Sequence, residues 1–219
     1  GNIEIQDEGS QLLGYLLQPK RGEIVVDFCA GAGGKALMMG ALMGSKGRIY
    51  AFDVSERRLN RLKPRLKRSG LSNLFPRWIN NENDVKVKRL AGKVDRVIVD
   101  APCSGLGTLR RNPDIKLRQT PESIEEAKRG QEAILVSAAK LLKPGGRLVY
   151  ATCSFLPEEN QEIIENFLAA HTKFTLLNCA ELFMQQKIPL DTGMFLQLYP
   201  DEHNTDSFFA AALMLARND

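Results

Sequence analysis

Two cysteines occupy positions where a strand of a sheet would end. Cys103 follows a β-branched run that closes on Asp100, and Cys153 follows a second apolar run over residues 147–152. Such runs are typical of strands covered on both faces, and ligands of open α/β sheets bind at the carboxyl ends of the strands. We therefore expect both thiols and the carboxylate to face one cleft, where a thiolate could act as a nucleophile. Taken alone, either cysteine could instead be an inert core residue.

A glycine-rich loop precedes both cysteines in the chain. It runs from Cys29 to Lys35, between a strand predicted over residues 23–28 and a helix. The backbone N–H groups of such a loop, with the N-terminus of the following helix, can hold the polar groups of a nucleotide-like ligand. Asp53 ends the second predicted strand, about 20 residues further on, where an acid hydrogen-bonds ribose hydroxyls. The alternatives are a loop that needs glycine only for its turn and an aspartate that stands there by chance.

Strands and helices are predicted to alternate along the chain and to bring these residues together. The predicted strands are residues 23–28, 47–53, 74–79, 94–100, 147–152, 174–177, 195–198 and 208–216. The predicted helices lie within residues 3–17, from Ala36, over 55–69 with a kink at Pro64, over 120–142 and from Pro157. This alternation predicts an α/β fold with a doubly wound, mostly parallel sheet and a C-terminal antiparallel hairpin, in a single domain over residues 1–219.

The composition is typical of one globular domain. Of 219 residues, 43% are hydrophobic, enough for a full core. No apolar run is long enough to span a bilayer and no signal-peptide pattern is present, so we expect a cytoplasmic protein without a membrane contact. The four cysteines form no C-x-x-C pair and there are only two histidines, which argues against a metal site. The first residue is Gly1 rather than Met, which indicates a fragment or a processed chain.

Basic residues cluster in two places, although the formal net charge is only +4. The first cluster, over residues 57–68, is interpreted as the solvated face of a helix. The second lies in a loop over residues 110–118 that follows the Cys103 strand and would overhang the cleft. A solvated loop is the alternative, but a nucleic-acid backbone could also lie here. The candidates for contacts with phosphates are Arg110, Arg111, Lys116 and Arg118.

Five motifs follow one another in the chain and together carry a family resemblance. They are Asp-Phe-Cys-Ala-Gly-Ala-Gly-Gly-Lys at 27–35, Asp-Ala-Pro-Cys-Ser-Gly at 100–105, Arg-Arg-Asn-Pro-Asp at 110–114, Thr-Cys-Ser at 152–154 with Glu-Glu-Asn at 158–160, and Asp-Ser-Phe-Phe at 206–209. Taken together, they resemble the RNA cytosine-5 methyltransferase family, of the bacterial Sun-like type that acts on 16S ribosomal RNA. The resemblance covers nearly the whole chain. No single motif would suffice, but the Pro-Cys and Thr-Cys pairs in this order are specific.

The resemblance implies a Rossmann-like class I fold that binds S-adenosylmethionine. The residues that it assigns to the cofactor are Cys29, Ala30, Gly31, Ala32, Gly33, Gly34, Lys35, Asp53, Arg58, Asn80 and Asp100. Asn80 stands where the family usually has an aspartate that reads the adenine amino group, and an amide can also make a hydrogen bond there. A serine replaces the glycine of the family's usual Asp-Gly-Phe-Phe, which leaves the chemistry unchanged.

The implied reaction is the transfer of a methyl group to C5 of a cytosine in RNA, with ribosomal RNA as the first candidate and transfer RNA as the second. By resemblance, Cys153 is the nucleophile that adds to C6, because cytosine C5 is by itself a poor nucleophile. Cys103 would assist product release, Asp100 would contact cytosine N3, and Lys35 would act as an electrostatic and positioning group. Family members usually carry an N-terminal RNA-binding extension, which this chain would lack.

Two other functions stay open on the sequence alone. A DNA cytosine-5 or other base methyltransferase would use the same cofactor, with Cys103 as the nucleophile. A non-catalytic scaffold would bind the cofactor or RNA without turnover. The presence of both cysteines, Lys35 and Asp100 argues against the scaffold.

Overall fold

The structure is a computed structural model and describes residues 3–217. Within these residues, one mixed sheet forms the centre of the fold. Its strands are β1 (Ile24–Asp27), β2 (Arg48–Asp53), β3 (Leu74–Trp78), β4 (Val94–Asp100), β5 (Leu142–Thr152), β6 (Phe174–Leu177), β7 (Leu196–Leu198) and β8 (Phe208–Leu215). They are arranged in the order β3-β2-β1-β4-β5-β8-β6, with β7 paired to β8. The strands from β3 to β5 in this order are parallel.

Helices cover both faces of the sheet. They are α1 (Glu8–Leu17), α2 (Gly34–Leu42), α3 (Glu56–Ser69), α4 (Val85–Lys88), α5 (Pro121–Ala139), α6 (Gln161–Ala170), α7 (Cys179–Met184) and α8 (Pro200–His203). Buried side chains of α1, α2, α3 and α7 form one core cluster, and those of α4, α5 and α6 form a second. Neighbouring strand residues such as Val25 and Val26 belong to different clusters, because successive side chains point to opposite faces. The predicted doubly wound α/β fold is confirmed.

The strands β1, β4 and β5 lie side by side in the middle of the sheet. Their register aligns Asp27 with Ile98 and Asp100 with Ala151. The three strands are parallel, so their carboxyl ends lie at one edge of the sheet. The loops that follow them therefore meet at the edge where open α/β sheets bind ligands.

The predicted C-terminal antiparallel pair is present and extends the sheet. β8 is antiparallel to β7 and also to β5 and β6, between which it lies. Its residues 208–213 are buried, which explains their unbroken apolar pattern. Phe209 pairs with Thr152, the residue before Cys153. β8 thus supports the strand that delivers the second cysteine.

The first and third helices lie within the predicted ranges. α1 begins at Glu8, where the Asp7 side chain accepts a hydrogen bond from the Ser10 backbone N–H at 3.4 Å and caps the helix. α3 runs from Glu56 to Ser69 and includes Pro64, the residue at which a kink was predicted.

The boundaries around β5 also differ from the prediction. α5 ends at Ala139, earlier than the expected residue 142, and β5 begins at Leu142 rather than at residue 147. Leu142 pairs with Val94, and the register then shifts before Arg147 pairs with Arg96. The Lys-Pro-Gly-Gly turn is thus accommodated as an irregularity at the start of the strand.

α6 begins at Gln161 rather than at Pro157. Residues Pro157–Glu159 form a separate 3-10 turn, and Asn160 has φ −118° and ψ −99°, outside the helical region. The helix is interrupted because Glu159 turns into the protein interior, where it is fully buried.

Candidate active site

The two strand-end cysteines lie in contact. The Sγ atoms of Cys103 and Cys153 are 3.4 Å apart, and both residues are half-buried. The loop that carries Cys153 is held by Gly107, whose backbone N–H donates a hydrogen bond to the Cys153 carbonyl oxygen at 2.9 Å. A Cβ atom at Gly107 would lie 2.7 Å from that oxygen and from the Ser207 carbonyl oxygen, so glycine is required for this close approach. The two thiols thus lie together where β4 and β5 end.

The thiols differ in how readily they ionise. A hydrogen bond from Cys103 is the main reason that the pKa of Cys153 is lowered, and the charge of Lys35 acts in the same direction. The same hydrogen bond, with burial and the charge of Glu159, raises the pKa of Cys103. Cys153 therefore ionises more readily than Cys103, and Cys103 keeps its proton.

Lys35 and Asp100 form an ion pair beside the thiols. Lys35 Nζ lies 2.6 Å from Asp100 Oδ2, 3.5 Å from Ser10 Oγ and 5.9 Å from the centre of the Phe208 ring. Burial by itself would lower the pKa of Lys35, but Asp100 and Asp27 outweigh it, so the net pKa is raised. Lys35 is thus a fixed cation whose charge acts on the Cys153 thiol, as an electrostatic role requires.

Asp27 is a buried acid for which the sequence analysis gave no role. It ends β1 with no exposed surface, and neither carboxylate oxygen has a hydrogen-bond partner within residues 3–217. Burial raises its pKa to about 7, although Lys35 acts in the opposite direction. Its position at the end of a buried strand was the signal in the sequence, since an acid rarely occurs there without a function.

The glycine-rich loop is held against Asp53. Asp53 Oδ2 accepts from the Gly31 N–H at 2.7 Å, and Arg58 lies 3.3 Å from Oδ1. Gly33 has φ +81°, and a Cβ there would lie 2.2 Å from a methyl group of Leu62, so this position needs glycine. Asp53 thus holds the glycine-rich loop in place, a contact that the sequence analysis did not predict.

A cavity opens beside this loop. Its lining residues are Phe28, Cys29, Asp53, Val54, Arg58, Ile79, Glu82, Pro102 and Ile134. Apolar side chains such as Ile79 and Ile134 suit the faces of a planar ring, and the carboxylate of Asp53 suits hydroxyl donors. The lining therefore fits a nucleoside.

Asn80 does not line this cavity. Its side-chain amide donates to Asp84 Oδ2 at 3.3 Å, and its backbone N–H donates to the same oxygen at 3.0 Å. Glu82, two residues later, is the polar residue that β3 delivers to the cavity. The sequence predicts a polar residue after β3. Which polar side chain lines the cavity depends on the turn that Asp84 stabilises.

The basic loop is partly neutralised by the chain itself. Arg111 Nε donates to Asp206 Oδ2 at 2.6 Å, which ties the loop to the start of β8. Arg110 contacts Asn204, and Arg118 pairs with Asp114. Lys116 is exposed and has no ion pair within residues 3–217. Of the four candidate phosphate-binding residues, Arg111 alone pairs with a buried residue, Asp206, within residues 3–217.

Two further properties concern the described residues only. Between residues 3 and 217, no group of three or more His, Cys, Asp or Glu side chains is arranged to hold a metal ion. Over the same span, every helix is too short or too polar to cross a membrane.

Known sequences resemble this chain over nearly its whole length. The family model described as "16S rRNA methyltransferase RsmB/F" matches residues 14–214. A Synechocystis sp. protein described as a probable ribosomal RNA small subunit methyltransferase B is 39% identical over 212 residues, which are 97% of this chain and 47% of that protein. The ribosomal RNA small subunit methyltransferase B of Klebsiella pneumoniae is 37% identical over 226 residues, covering 100% of this chain and 48% of that protein. The chain thus spans about half the length of the curated relatives it matches.

Solved structures agree in fold. NSun6 from Pyrococcus horikoshii, determined with SFG, has a TM-score of 0.83 and 29% identity, over 97% of this chain and 53% of that chain. A methyltransferase homolog protein from the same organism has a TM-score of 0.79 and 33% identity, over 97% of this chain and 68% of that chain. The fold is the Rossmann-like fold of S-adenosylmethionine-dependent methyltransferases. Since the family model and the relatives agree over nearly all of the sequence, this chain belongs to the 16S rRNA methyltransferase RsmB/F family.

Proposed function

We propose that this chain transfers a methyl group from S-adenosylmethionine to C5 of a cytosine in RNA. The observation that carries the proposal is the thiol pair, with 3.4 Å between the two sulfurs, at the ends of β4 and β5. A reaction that forms and then breaks a bond to sulfur needs one thiolate and one thiol in this arrangement. Ribosomal RNA as the substrate, with transfer RNA as the alternative, and a cytoplasmic location are parts of this proposal.

The cavity beside the glycine-rich loop is the proposed cofactor site. When bound, S-adenosylmethionine supplies an electrophilic methyl group on a sulfonium. Asp53 and Arg58 would hold the ribose, and the loop Cys29–Lys35 would lie along the remainder. Glu82 joins Asn80 as a candidate for the adenine end, since it lines the cavity. A likeness to NSun6, whose structure was determined with the S-adenosylmethionine analogue SFG, supports this assignment.

Cys153 opens the reaction on the cytosine. Its thiolate adds to C6, and the electrons of the C5–C6 double bond move into the ring, so C5 becomes nucleophilic enough to accept the methyl group. Asp100 would contact N3, where the added electron density is stabilised by a proton or a hydrogen bond. Lys35 holds Asp100 in place and favours the Cys153 thiolate.

Cys103 has its role at the end of the reaction. After C5 loses its proton, the bond between C6 and the Cys153 sulfur must break, which restores the ring double bond. Cys103 keeps its proton and lies against the departing sulfur, so it can stabilise the thiolate that leaves. Removal of Cys103 would therefore leave the enzyme attached to its product.

The target cytosine must leave any helical stack to reach the thiols. Arg110, Lys116 and Arg118 lie exposed on the loop after β4 and are proposed to hold the flanking phosphates. Arg111 remains a candidate through its exposed edge, since its side chain is 58% exposed despite the pair with Asp206.

Mass spectrometry of the intact protein tests this function. The chain is incubated with S-adenosylmethionine and RNA that contains 5-fluorocytosine, in which C5 cannot release a proton. We expect a covalent RNA adduct in the wild type and none in Cys153→Ala. Cys179→Ala is the matched control, because Cys179 is fully buried in α7 and its thiol contacts the Ala210 carbonyl oxygen, and it should keep the adduct.

The second cysteine gives the complementary result. Cys103→Ala should accumulate an adduct even with unmodified RNA, because release is impaired. If the adduct is lost in Cys103→Ala and kept in Cys153→Ala, the roles are reversed, as in a DNA-type enzyme. If no variant and no wild-type sample forms an adduct or methylates RNA, the proposed function is wrong.

A further inference from the structure

Glu159 is a buried acid whose hydrogen bonds come from neutral groups. It has no exposed surface. Its Oε1 accepts from the Ser104 N–H at 2.8 Å and from Gln131 Nε2 at 3.0 Å, and its Oε2 accepts from Ser104 Oγ at 2.5 Å. Within residues 3–217 it forms no salt bridge. A carboxylate buried in this way is costly unless hydrogen bonds satisfy it, as they do here.

These bonds fix the loop that carries Cys103 from both sides. Ser104, which follows Cys103, is held by Glu159 through its backbone and its hydroxyl. Pro102, which precedes Cys103, is held through its carbonyl oxygen by Gln131 Nε2 at 3.0 Å. Because one amide group contacts both Pro102 and Glu159, the two anchors form a single unit.

The same residue is attached to the loop that carries Cys153. Tyr150, in β5, donates its hydroxyl to the Glu159 carbonyl oxygen at 2.7 Å. Ser154, directly after Cys153, places its hydroxyl 3.2 Å from that of Ser104. Glu159 therefore joins the two cysteine loops, and this is why the chain forms a turn at this point instead of the expected helix.

A carboxylate has two effects here that an amide would not have. Both of its oxygens accept, so three donors are satisfied, whereas an amide would direct an N–H group toward one of them. Its negative charge also disfavours a second negative charge nearby, and it acts on Cys103 in that sense. The thiol that Glu159 positions is thus also the thiol whose ionisation it opposes.

We propose that Glu159 is a positioning residue that holds the Pro102–Ser104 loop against Cys153 and makes Cys103 the proton donor of the thiol pair. The proton that leaves the pair is then the one on Cys153, and the Cys103 S–H stays directed at the resulting thiolate. This inference rests on the proposed function, in which Cys153 is the nucleophile. It concerns the two thiols alone, so it can be tested without RNA or cofactor.

The test is competitive alkylation with a limiting amount of iodoacetamide, read as the ratio of labelled Cys153 to labelled Cys103 by peptide mass spectrometry. We expect a ratio in favour of Cys153 in the wild type and a fall of about tenfold in Glu159→Gln, which corresponds to one pKa unit. Glu158→Gln is the matched control, because Glu158 is the exposed neighbour and loses the same charge. An unchanged ratio in a folded Glu159→Gln protein overturns the proposal.

A second measurement decides the matter if Glu159→Gln does not fold. In Gln131→Met, which removes the amide that joins Pro102 to Glu159 and keeps the charge of Glu159, the ratio of labelled Cys153 to labelled Cys103 should also fall. An unchanged ratio in this variant overturns the proposal. Both results are independent of methyl transfer, so the failure of the proposed function and the failure of this inference are distinguishable.

Discussion

Asparagine in place of Asp27 should change how the stability of this chain depends on pH. Asp27 is fully buried at the end of β1, and its carboxylate oxygens have no hydrogen-bond partner among residues 3–217. Burial raises its pKa from 3.8 to about 7; the charge of Lys35 opposes this rise, and the charges of Asp100 and Asp53 add to it. Unfolding exposes the group to water, where its pKa returns to the ordinary value.

The sign follows from the higher pKa of the folded state. Between the two pKa values the folded chain binds the proton more tightly than the unfolded chain, so the contribution of Asp27 is fully present below pH 3.8 and is lost as the pH rises through about 7. For these two pKa values, the linkage relation gives a loss of about 2.6 kcal/mol between pH 5 and pH 8. Asp27→Asn cannot titrate and should lack this loss.

Urea unfolding at several pH values between 5 and 8 measures the effect. The quantity to compare is the difference in the free energy of unfolding between wild type and Asp27→Asn, because other titrating groups cancel in it. Asp201→Asn, which removes an exposed acid on α8, should keep the wild-type pH dependence. A difference between wild type and Asp27→Asn that stays constant with pH would refute the reasoning.

Three other substitutions test the proposed RNA contact and the packing of the cysteine loop. Arg110→Ala should weaken RNA binding and reduce the slope of log affinity against log salt by about 0.7, which is the value for one phosphate contact on a single strand. Filter binding at several salt concentrations measures this slope. An unchanged slope would show that Arg110 does not contact a phosphate. Gly107→Ala should destabilise the chain by about 1–3 kcal/mol, because a Cβ would lie 2.7 Å from two backbone carbonyl oxygens. Gly130→Ala, within α5 with open space around it, should instead stabilise it by about 0.5–1 kcal/mol in the same denaturation assay; equal effects of the two would contradict the packing argument.

The strands that carry the site could be predicted from local patterns. The apolar runs before Asp53, Asp100 and Cys153 are strands in the structure, because alternation and β-branching are properties of a few neighbouring residues. The glycine-rich loop could likewise be predicted from its residue types. The motifs were sufficient to indicate the family, which the comparisons confirm.

Other features depend on contacts between segments far apart in the chain. The close approach of the two thiols requires β4 to lie beside β5, and the preference for ionisation at Cys153 depends on Lys35 and on the Cys103 hydrogen bond. Arg111 is a phosphate-binding candidate by type, but Asp206, 95 residues away, pairs with it. Glu159 lies in a sequence pattern that predicts a helix start, but the hydrogen bond that its carboxylate accepts from Ser104 accompanies a turn there instead. The type of a residue sets what its side chain can do, whereas burial and the charge of its neighbours decide what it does, and both arise only when the chain is packed.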